Sequence, residues 1–349
     1  MTSGPLEVLG RALTGAHVAG MVALGVELGL YRSLVEEGPA TSDELAGRTG
    51  CHERWVREWL YGQAAAGVID FDPDDQRFSA VAELGPLLCD RDDLFHLGGQ
   101  FRALPRRLGL VDRLAESFRT GLGLDFDDRG AGAAADTEAT FLAWYRQVLV
   151  PVALPLLDGV VPRLAAGTEV ADVGCGSGVA LVEMAKAFPA ACFHGYDVSR
   201  HALARAEANR AEAGVANVSF HLVPDDPLPE DGRYGLVCTF DCLHDMTDPG
   251  EVAGAIRRSM ADDGVWFVVD IDGAPTFAEQ RARPMAPMLY ALSVYSCMSS
   301  SLSRPGGAGL GTCGLPEPAM RELTGAAGFT RFRRLPMEHP VNAFYEARP

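Results

Sequence analysis

The C-terminal half of the sequence predicts an α/β fold, because short apolar runs alternate with amphipathic helical stretches from about residue 160 onward. This alternation is typical of a parallel sheet covered by helices. A glycine-rich turn follows the first apolar run, at Gly174, Gly176 and Gly178, and such turns let a ligand approach the backbone before a helix. The region before residue 160 is mainly helical, so we expect the 349 residues to form more than one domain.

The elements of the α/β region follow from its apolar runs and from the glycines and prolines between them. Seven strands are predicted, at residues 169–173, 192–196, 218–222, 234–240, 264–271, 329–335 and 341–347. Five helices are predicted, at residues 178–188, 201–213, 250–260, 280–300 and 316–327.

The N-terminal region is predicted to begin with helices. Apolar residues at helical spacing cover residues 6–35, and we expect two helices with a break near Gly15 or Gly20. A capping box that starts at Thr41 predicts a helix that ends at Gly50.

A further helix and a small hairpin complete this region. The helix is expected from about residue 52 to residue 66, and two short strands flank the turn at 72–75. Helix, turn, helix and hairpin together make a winged helix. We therefore divide the chain into a winged-helix domain (1–90), a helical connector that contributes to the substrate cleft (91–160) and the α/β domain (161–349).

The charge of the winged helix argues against DNA as its partner. Residues 1–90 hold six arginines and fourteen acidic residues, a formal charge of −8, and the whole chain carries −17. The would-be recognition helix carries Glu53 and Glu58, and its Trp55 and Trp59 are expected to pack in the core. Because phosphate contacts dominate affinity for DNA, we expect no nucleic-acid partner and a role in dimerisation instead.

Cysteine usage and hydropathy indicate a cytoplasmic protein. The eight cysteines form no CxxC pair and no zinc-like spacing with histidine, so they are expected to be reduced thiols. We find no run of about 18 apolar residues and no basic start typical of a signal peptide, so no membrane partner is expected.

The spacing of the three glycines restricts the ligand. They follow the pattern G-x-G-x-G, whereas a dinucleotide fingerprint needs G-x-G-x-x-G and a phosphate-binding loop ends in G-K-[ST]. The expected ligand is therefore a nucleoside without a pyrophosphate. S-adenosylmethionine is the leading candidate for this cofactor.

Acidic residues stand at the ends of successive predicted strands. Asp172 lies within the first strand and is expected to order the turn. Asp197 ends the second strand, 19 residues after Gly178, where a carboxylate can accept hydrogen bonds from both ribose hydroxyls. Asp225 and Asp226 follow the third strand, and one of them is expected to accept from the adenine amino group. Since ligands of open α/β sheets bind outside the carboxyl ends of the strands, these residues predict one site.

The fourth strand brings a histidine to the same edge. It ends at Phe240, which we include among the cofactor-binding residues, and His244 follows shortly after. Carboxylates at Asp241, Asp245 and Asp248 are expected to orient the imidazole. A histidine with a pKa near neutrality can take a proton from a hydroxyl as it attacks, so we expect a catalytic base and no metal. Metal binding by this histidine and the acids around it is the rival interpretation.

Aromatic and apolar segments are the candidates for the substrate pocket. Phe141 and Tyr145 lie just before the α/β domain, and ligand sites favour domain borders. The Met-rich stretch 285–298 contains Tyr290 and could form either a pocket wall or part of the core. The glycine-rich stretch 305–312 could be a lid, although an ordinary connection is the simpler interpretation.

Taken together, these residues resemble the class I S-adenosylmethionine-dependent methyltransferase fold, which has a Rossmann-like seven-stranded sheet. Residues 22–31 and 41–45 are similar to the winged-helix dimerisation domain of small-molecule O-methyltransferases. Residues 118–121 are similar to the "RTG" stretch of that family. Residues 243–248 resemble its LHDWxD motif, with Met246 in place of the tryptophan.

The resemblance implies roles for particular residues. The histidine of the motif, His244 here, is the general base of that family, and Asp270 falls where the family carries an acid that helps hold the base. The family also implies substrate contacts from Phe141 and Tyr145, and a homodimer formed through the N-terminal domain. Residues 299–312 are similar to a bacterial group of winged-helix methyltransferases whose substrates are mostly unassigned.

The sequence thus predicts methyl transfer from S-adenosylmethionine to the hydroxyl of a small molecule. The alternatives are N-, S- or C-methylation of a small metabolite, a winged-helix transcriptional regulator that senses S-adenosylmethionine, and a protein of this fold that binds the cofactor without this catalysis.

Overall fold

The computed structural model describes residues 4–349. The chain divides into two units. The first runs to Gly109 and includes Ala139–Ala143, and the second consists of Leu110–Glu138 and Trp144–Pro349. We describe each unit by itself.

The first unit is a helical domain with one hairpin. Its elements are α1 (Pro5–Glu27), α2 (Leu30–Glu36), α3 (Ser42–Thr49), α4 (Glu53–Ala65), β1 (Asp70–Asp72), β2 (Arg77–Ser79), a π-helical turn (Gly85–Cys89) and α5 (Gly98–Leu108). The capping box is present, since the Glu44 amide donates to Thr41 Oγ1 and the Thr41 amide donates to a carboxylate oxygen of Glu44. The hairpin pairs Asp70 opposite Ser79 in antiparallel register.

The expected break in the first helix is wrong. Gly15 and Gly20 lie inside the continuous helix α1, and the chain turns only at Gly29, where φ is 70°. A helical glycine costs about 1 kcal/mol relative to alanine, which is too little to interrupt a helix of 23 residues. The left-handed backbone at Gly29 ends the helix because glycine adopts it without steric cost.

The two tryptophans of α4 differ from each other. Trp59 is buried as expected, with its ring edge-on to Tyr31 and its indole N–H donating to the Met21 carbonyl at 2.9 Å. Trp55 is 79% exposed, so its predicted place in the core is wrong. The helix presents Trp55 and Trp59 at a spacing of four residues, yet only Trp59 faces the neighbouring helices.

The second unit contains the seven-stranded sheet. Its strands are β3 (Glu169–Val173), β4 (Cys192–Asp197), β5 (Val218–Leu222), β6 (Tyr234–Phe240), β7 (Met260–Ile271), β8 (Arg331–Arg334) and β9 (Asn342–Arg348). The order across the sheet is β5-β4-β3-β6-β7-β9-β8, and β9 runs antiparallel to both β7 and β8 while the other pairs are parallel. The direction of the strand order reverses at β3, which is the point where open α/β sheets bind ligands.

Helices and short helical turns complete the second unit. Its helices are α6 (Val111–Thr120), α8 (Val160–Ala166), α9 (Val179–Ala187), α10 (Arg200–Ala213), α11 (Pro249–Ser259), α12 (Phe277–Gln280), α13 (Ala286–Leu292), α14 (Met298–Ser301) and α15 (Glu317–Ala326), while α7 (Ala131–Trp144) contributes to both units. Its 3₁₀ turns are Asp127–Arg129, Leu154–Leu156 and Leu243–Asp245, and its π-helical segments are Tyr145–Ala153 and Ser293–Cys297.

The sheet is buried on both faces. Along β7, Phe267 and Val269 belong to the apolar cluster on one face, while Trp266 and Val268 belong to the cluster on the other. Strands buried on both sides are nearly continuous apolar runs, which explains why the sequence predicts β3 and β6 with their observed bounds.

The predicted helix 280–300 is not continuous. Helix α12 ends at Gln280, a turn occupies residues 281–285, and the chain is then helical from Ala286 to Ser301 through α13, the π-helical turn Ser293–Cys297 and α14. The π-helical turn Ser293–Cys297 places Cys297 close to the histidine described below.

Two helical stretches, Pro5–Glu27 and Ala131–Leu156, are long and apolar enough to cross a membrane by length and composition. The same test is passed by core helices of soluble proteins, so this observation is weak support for a membrane span.

Candidate active site

The glycine turn leaves the end of β3 in a left-handed backbone. Gly174, Gly176 and Gly178 have φ of 78°, 54° and 69°. A Cβ atom on Gly174 would lie 2.8 Å from the Cys242 sulfur, whereas a Cβ on Gly176 would meet no atom of residues 4–349 within 4 Å. The first glycine is therefore required by packing against the protein, and the second faces open space beside the sheet edge.

Asp172 presents an unused acceptor next to this turn. The residue is 1% exposed, and its Oδ1 atom has no hydrogen-bond partner within residues 4–349. Burial raises its pKa well above the ordinary value, and the nearby Asp197 charge adds to the shift. A buried carboxylate oxygen without a partner costs free energy, so a donor from a ligand would satisfy it.

Asp197 connects the ends of β3 and β4. Its Oδ2 accepts from the Gly176 amide and its Oδ1 accepts from the Ser199 amide, both at 2.8 Å. Burial raises the pKa of this carboxyl, and the backbone donors partly offset the shift. Each carboxylate oxygen has two lone pairs, so the observed bonds leave room for the ribose hydroxyls expected from the sequence.

Asp225 and Asp226 follow β5 at the same edge. Asp226 accepts from the Nδ1 atom of His221 at 2.6 Å, and Asp225 lies 3.4 Å from a guanidinium nitrogen of Arg200. Both carboxylates are more than half exposed. Either can turn toward a ligand, and the adenine contact stays a prediction.

The aromatic residues of the predicted site lie in different surroundings. Phe240 is 7% exposed and packs edge-on against Tyr145, with ring centroids 5.5 Å apart. Burial raises the pKa of Tyr145 well above its ordinary value, and the negative charges of Asp172 and Asp241 raise it further. Tyr145 therefore lies near these two carboxylates at the carboxyl ends of the strands. Phe141 belongs to the first unit, and its contact with substrate stays a prediction.

His244 is held by a buried carboxylate. It lies in the 3₁₀ turn after β6 and is 2% exposed, and its Nδ1 is 2.6 Å from Oδ1 of Asp270. The Ile271 amide also donates to that oxygen at 2.7 Å. Burial lowers the pKa of His244, but the Asp270 carboxylate and the Cys297 thiol outweigh it, and the net shift is well upward.

This arrangement fixes the chemistry of the imidazole. With Nδ1–H donated to Asp270, the neutral form of the His244 ring carries its lone pair on Nε2, and the raised pKa means that the ring holds a proton strongly once it has taken one. The Cys242 sulfur lies 3.2 Å from the Val173 carbonyl, so the histidine turn abuts the glycine turn. The buried histidine and the glycine turn thus meet at one edge of the sheet.

The three acids expected to orient His244 have separate roles. Asp241 has φ of 52° and accepts from the Asn342 amide group at 2.5 Å, and burial with the Asp270 charge raises its pKa to about 7. Burial also raises the pKa of Asp245 to about 7. Asp248 instead caps α11 by accepting from the Glu251 amide, so its expected role beside the histidine is wrong.

Sequence reasoning missed two side chains that converge on this turn. Cys297, from the π-helical turn, has its sulfur within 4.8 Å of ligand atoms of His244 and Asp245. Arg129, from the 3₁₀ turn Asp127–Arg129, donates to the Ser296 and Ser300 hydroxyls. No local pattern signals either residue, because both reach the site from segments more than fifty residues away from His244.

The predicted pocket wall and lid are adjacent to these groups. Tyr290 in α13 is 39% exposed and lies edge-on to Phe277. Burial, followed by the Cys313 thiol, raises the pKa of Tyr290. The stretch 305–312 bonds to the histidine region, since the Ala308 amide donates to the Thr247 carbonyl at 2.9 Å.

Fold and site together define an α/β domain with a glycine turn and a buried histidine–carboxylate pair beside the topological switch point of its sheet. Residues 164–300 match the family described as a methyltransferase domain, and residues 16–89 match the Rv2258c-like winged HTH domain. The chain therefore has the architecture of a class I S-adenosylmethionine-dependent methyltransferase with an N-terminal winged-helix domain.

Part of this chain is similar to methyltransferases of two biosynthetic pathways. Over 115 residues it is 35% identical to the mitomycin biosynthesis 6-O-methyltransferase of Streptomyces lavendulae, and the matched region is 33% of each chain. Over 119 residues it is 36% identical to the ubiquinone biosynthesis O-methyltransferase of Ralstonia nicotianae, which covers 34% of this chain and 48% of that protein. The matches thus span a third to a half of these relatives.

A solved structure extends the likeness to the whole fold. The human N-acetylserotonin methyltransferase, in complex with S-adenosylmethionine, superposes with a TM-score of 0.69, at 17% identity over 99% of this chain and 98% of that chain. At this identity the likeness concerns the fold alone.

Proposed function

We propose that this protein transfers the methyl group of S-adenosylmethionine to the hydroxyl of a small molecule, with His244 as the general base. The observation that carries the proposal is the buried His244–Asp270 pair beside the glycine turn. It supplies a base of fixed tautomer at the position where an acceptor would meet a nucleoside cofactor.

The residues of the glycine turn fit the cofactor. Asp172 offers a buried acceptor without a partner, and the Gly176 backbone faces open space. We assign Asp172, Gly174, Gly176, Gly178 and Asp197 to the cofactor, with Asp225, Asp226 and Phe240 beside its base. When bound, S-adenosylmethionine supplies a methyl group on a sulfonium that is open to in-line displacement.

The chain's own contribution is positioning and proton removal. Holding the acceptor in line with the methyl group is worth up to ~7–11 kcal/mol in favourable systems. Nε2 of His244 takes the proton of the hydroxyl as it attacks, and the Asp270 carboxylate stabilises the imidazolium that forms, which adds ~10²–10⁴-fold. Phe141, Tyr145 and Tyr290 are the proposed walls of the acceptor pocket.

The test uses the full chain with S-adenosylmethionine labelled in the methyl group. A panel of phenols, alcohols, amines and thiols is offered, and products are identified by mass. We expect a methylated hydroxyl, and the variant His244→Ala should lose at least ~100-fold in turnover while its cofactor affinity in calorimetry stays unchanged. The matched control is His201→Ala, an exposed histidine of α10. Wild-type turnover in the His244 variant would refute the role of His244 as general base. A product methylated only on nitrogen, sulfur or carbon would refute the hydroxyl as the methyl acceptor.

The N-terminal domain is proposed to form a homodimer. Helix α1 exposes Leu6, Leu9 and Leu13 by 87%, 67% and 64%, and exposed apolar patches of this kind commonly mark interfaces. Light scattering after gel filtration should give a molar mass twice that of one chain. The double variant Leu9→Glu, Leu13→Glu should reduce the measured mass to that of a single chain. A monomeric wild-type chain would refute the dimer.

The winged helix itself gives no support for a DNA-binding regulator. On α4, Arg54 lies 2.6 Å from Glu58, and Arg57 lies 2.9 Å from Glu53. These arginines are neutralised within their own helix, so we propose that the protein does not bind nucleic acid. We further propose a small-molecule substrate and a cytoplasmic location. The boundaries at residues 90 and 160 belong to the same proposal.

A further inference from the structure

Cys297 gives the histidine turn a donor set that a methyl-transfer base does not need. The ligand atoms of His244, Asp245 and Cys297 lie within 4.8 Å of one another. They come from two separate elements, the 3₁₀ turn after β6 and the π-helical turn Ser293–Cys297. The three side chains therefore converge through the tertiary fold and not through local spacing.

We propose that His244, Asp245 and Cys297 form a binding site for a thiophilic divalent cation, zinc above all, and that occupation of this site blocks the base. The inhibition part of this inference rests on the proposed function. The binding part does not, because it depends only on the three ligands.

The ligand types match zinc. Zinc takes thiolate sulfur, imidazole nitrogen and carboxylate oxygen, and sites with three protein ligands keep a fourth position open for water or substrate. In tetrahedral zinc sites with bonds of ~2.0–2.3 Å, neighbouring ligand atoms lie about 3.5 Å apart. The ligands here need to converge by roughly 1 Å from their upper limit of 4.8 Å.

The surroundings of His244 are those of a metal ligand. Its Nδ1 is bonded to Asp270 at 2.6 Å, which orients Nε2 as the ligand atom. A carboxylate behind a ligating histidine fixes the ring and strengthens the metal bond. The same contact serves a base, so the Asp270 bond alone does not separate the two roles, but a sulfur within 4.8 Å of both the imidazole and Asp245 does.

Charge favours a cation at this point. Three acidic side chains lie around His244, because Asp241 and Asp270 form a second group of potential ligand atoms with it and Asp245 belongs to the first. Arg129 faces Asp245 with one positive charge, which the three carboxylates outnumber. Buried carboxylates are costly unless they are paired or bind a metal. A divalent cation between His244, Asp245 and Cys297 would offset this charge.

The consequence for catalysis follows from the lone pair. A metal bound to Nε2 of His244 uses the electrons that would accept the proton of the hydroxyl. Metal binding and methyl transfer therefore exclude each other, and zinc should act as a competitive inhibitor toward the acceptor.

The binding test uses cobalt(II) chloride on the chelator-treated full chain, without cofactor or acceptor. We expect one cobalt per chain, a thiolate-to-cobalt charge-transfer band in the near ultraviolet, and loss of the band when zinc chloride is added. Cys297→Ser should abolish the band and weaken cobalt binding at least tenfold. The matched control is Cys313→Ser, which removes another half-buried cysteine near His244 and should keep the band. Circular dichroism and cofactor affinity verify that each variant is folded.

The inhibition test adds zinc to the methyl-transfer assay. We expect the wild type to lose activity at zinc concentrations that saturate the cobalt site, and Cys297→Ser to need at least tenfold more zinc. A charge-transfer band that survives in Cys297→Ser, or a wild type that binds no cobalt, overturns the site. Bound zinc that leaves transfer unchanged overturns the inhibition. Failure of the methyl-transfer assay itself would refute the proposed function and leave the cobalt result standing.

Discussion

The cofactor half and the acceptor half of the candidate site are built in different ways. In the first, main-chain amides at neighbouring strand ends do most of the bonding, as in the bond from the Gly176 amide to Asp197. In the second, side chains from distant segments meet, such as His244, Asp270 and Cys297. The first half depends on the topology of the sheet, so it constrains the sequence tightly. The second depends on which side chains the surrounding helices supply, so it can change without changing the fold.

The largest expected effect is a loss of methyl transfer from a substitution in the acceptor half alone. Asp270→Asn keeps the shape of the side chain but removes the charge that stabilises the His244 imidazolium, so methyl transfer should fall by about 100-fold. Cofactor affinity, measured by calorimetry, should stay within twofold of the wild type. An equal loss in both quantities would mean that the two halves are not separable.

The converse variant breaks the cofactor half. Asp197→Asn replaces a carboxylate with an amide at the position that accepts from Gly176 and Ser199. Loss of a charged acceptor is worth about 1.5–3 kcal/mol, so cofactor affinity should weaken by about 10–100-fold. Turnover at saturating cofactor should change little. Asp231→Asn, an exposed carboxylate paired with Arg233, is the control and should leave affinity unchanged.

A pair of glycine variants separates packing from ligand access. Gly174→Ala places a methyl group 2.8 Å from the Cys242 sulfur, while Gly176→Ala places it in open space. Both replace a left-handed glycine, which costs about 1 kcal/mol, but only the first adds a steric clash. Thermal unfolding without ligand should therefore show a larger loss of stability for Gly174→Ala. Cofactor binding should suffer in Gly176→Ala despite its milder effect on stability, and the opposite order would contradict the assigned roles.

The smallest expected effect concerns Glu138, which connects α7 to α10. Its carboxylate accepts from Arg205 at 2.8 Å and from Asn209 at 2.9 Å. Burial alone would raise its pKa, but these donors outweigh burial and the net shift is downward. Glu138→Gln should cost about 1–2 kcal/mol in the free energy of unfolding at pH 7, after allowance for the half-exposed Arg205.

The pH dependence of this contribution has a definite sign. Because the pKa of Glu138 is lower in the folded state, its stabilisation is fully present above the unfolded pKa and is lost as pH falls through the folded value. The difference between wild type and Glu138→Gln in urea unfolding should thus shrink below about pH 4. Glu207→Gln, which breaks an exposed pair with Arg210, should show no measurable effect at either pH.

Sequence reasoning succeeded where burial and strand order carry the information. The strands 218–222 and 234–240 have their predicted bounds, and the seven-stranded sheet with its winged-helix domain is confirmed. The glycine turn could be located because only glycine tolerates its backbone. The matched methyltransferase domain also supports the cofactor chosen from the glycine spacing.

The failures have equally physical causes. A break at Gly15 or Gly20 overestimates a small helix-propensity cost relative to a long apolar helix. Cys297 and Arg129 could not be located at the site because tertiary packing alone brings them to His244. The predicted helix 280–300 ignored Pro284 and Pro287, which favour a turn and a helix start, and the structure has a turn at 281–285 before α13.

The cap of α10 links two regions that the sequence keeps far apart. The Ser199 hydroxyl accepts from the Ala202 amide and donates to Asp127 at 2.5 Å, and Asp127 also accepts from the Arg200 amide. Asp197 lies only two residues before this cap and accepts from the Ser199 amide. Whatever displaces Asp127 therefore loosens the first turn of α10 and the carboxylate proposed to hold the ribose. The 3₁₀ turn Asp127–Arg129 thus connects two parts of the candidate site. Asp127 bonds to the start of α10, and Arg129 donates to Ser296 and Ser300 on either side of Cys297.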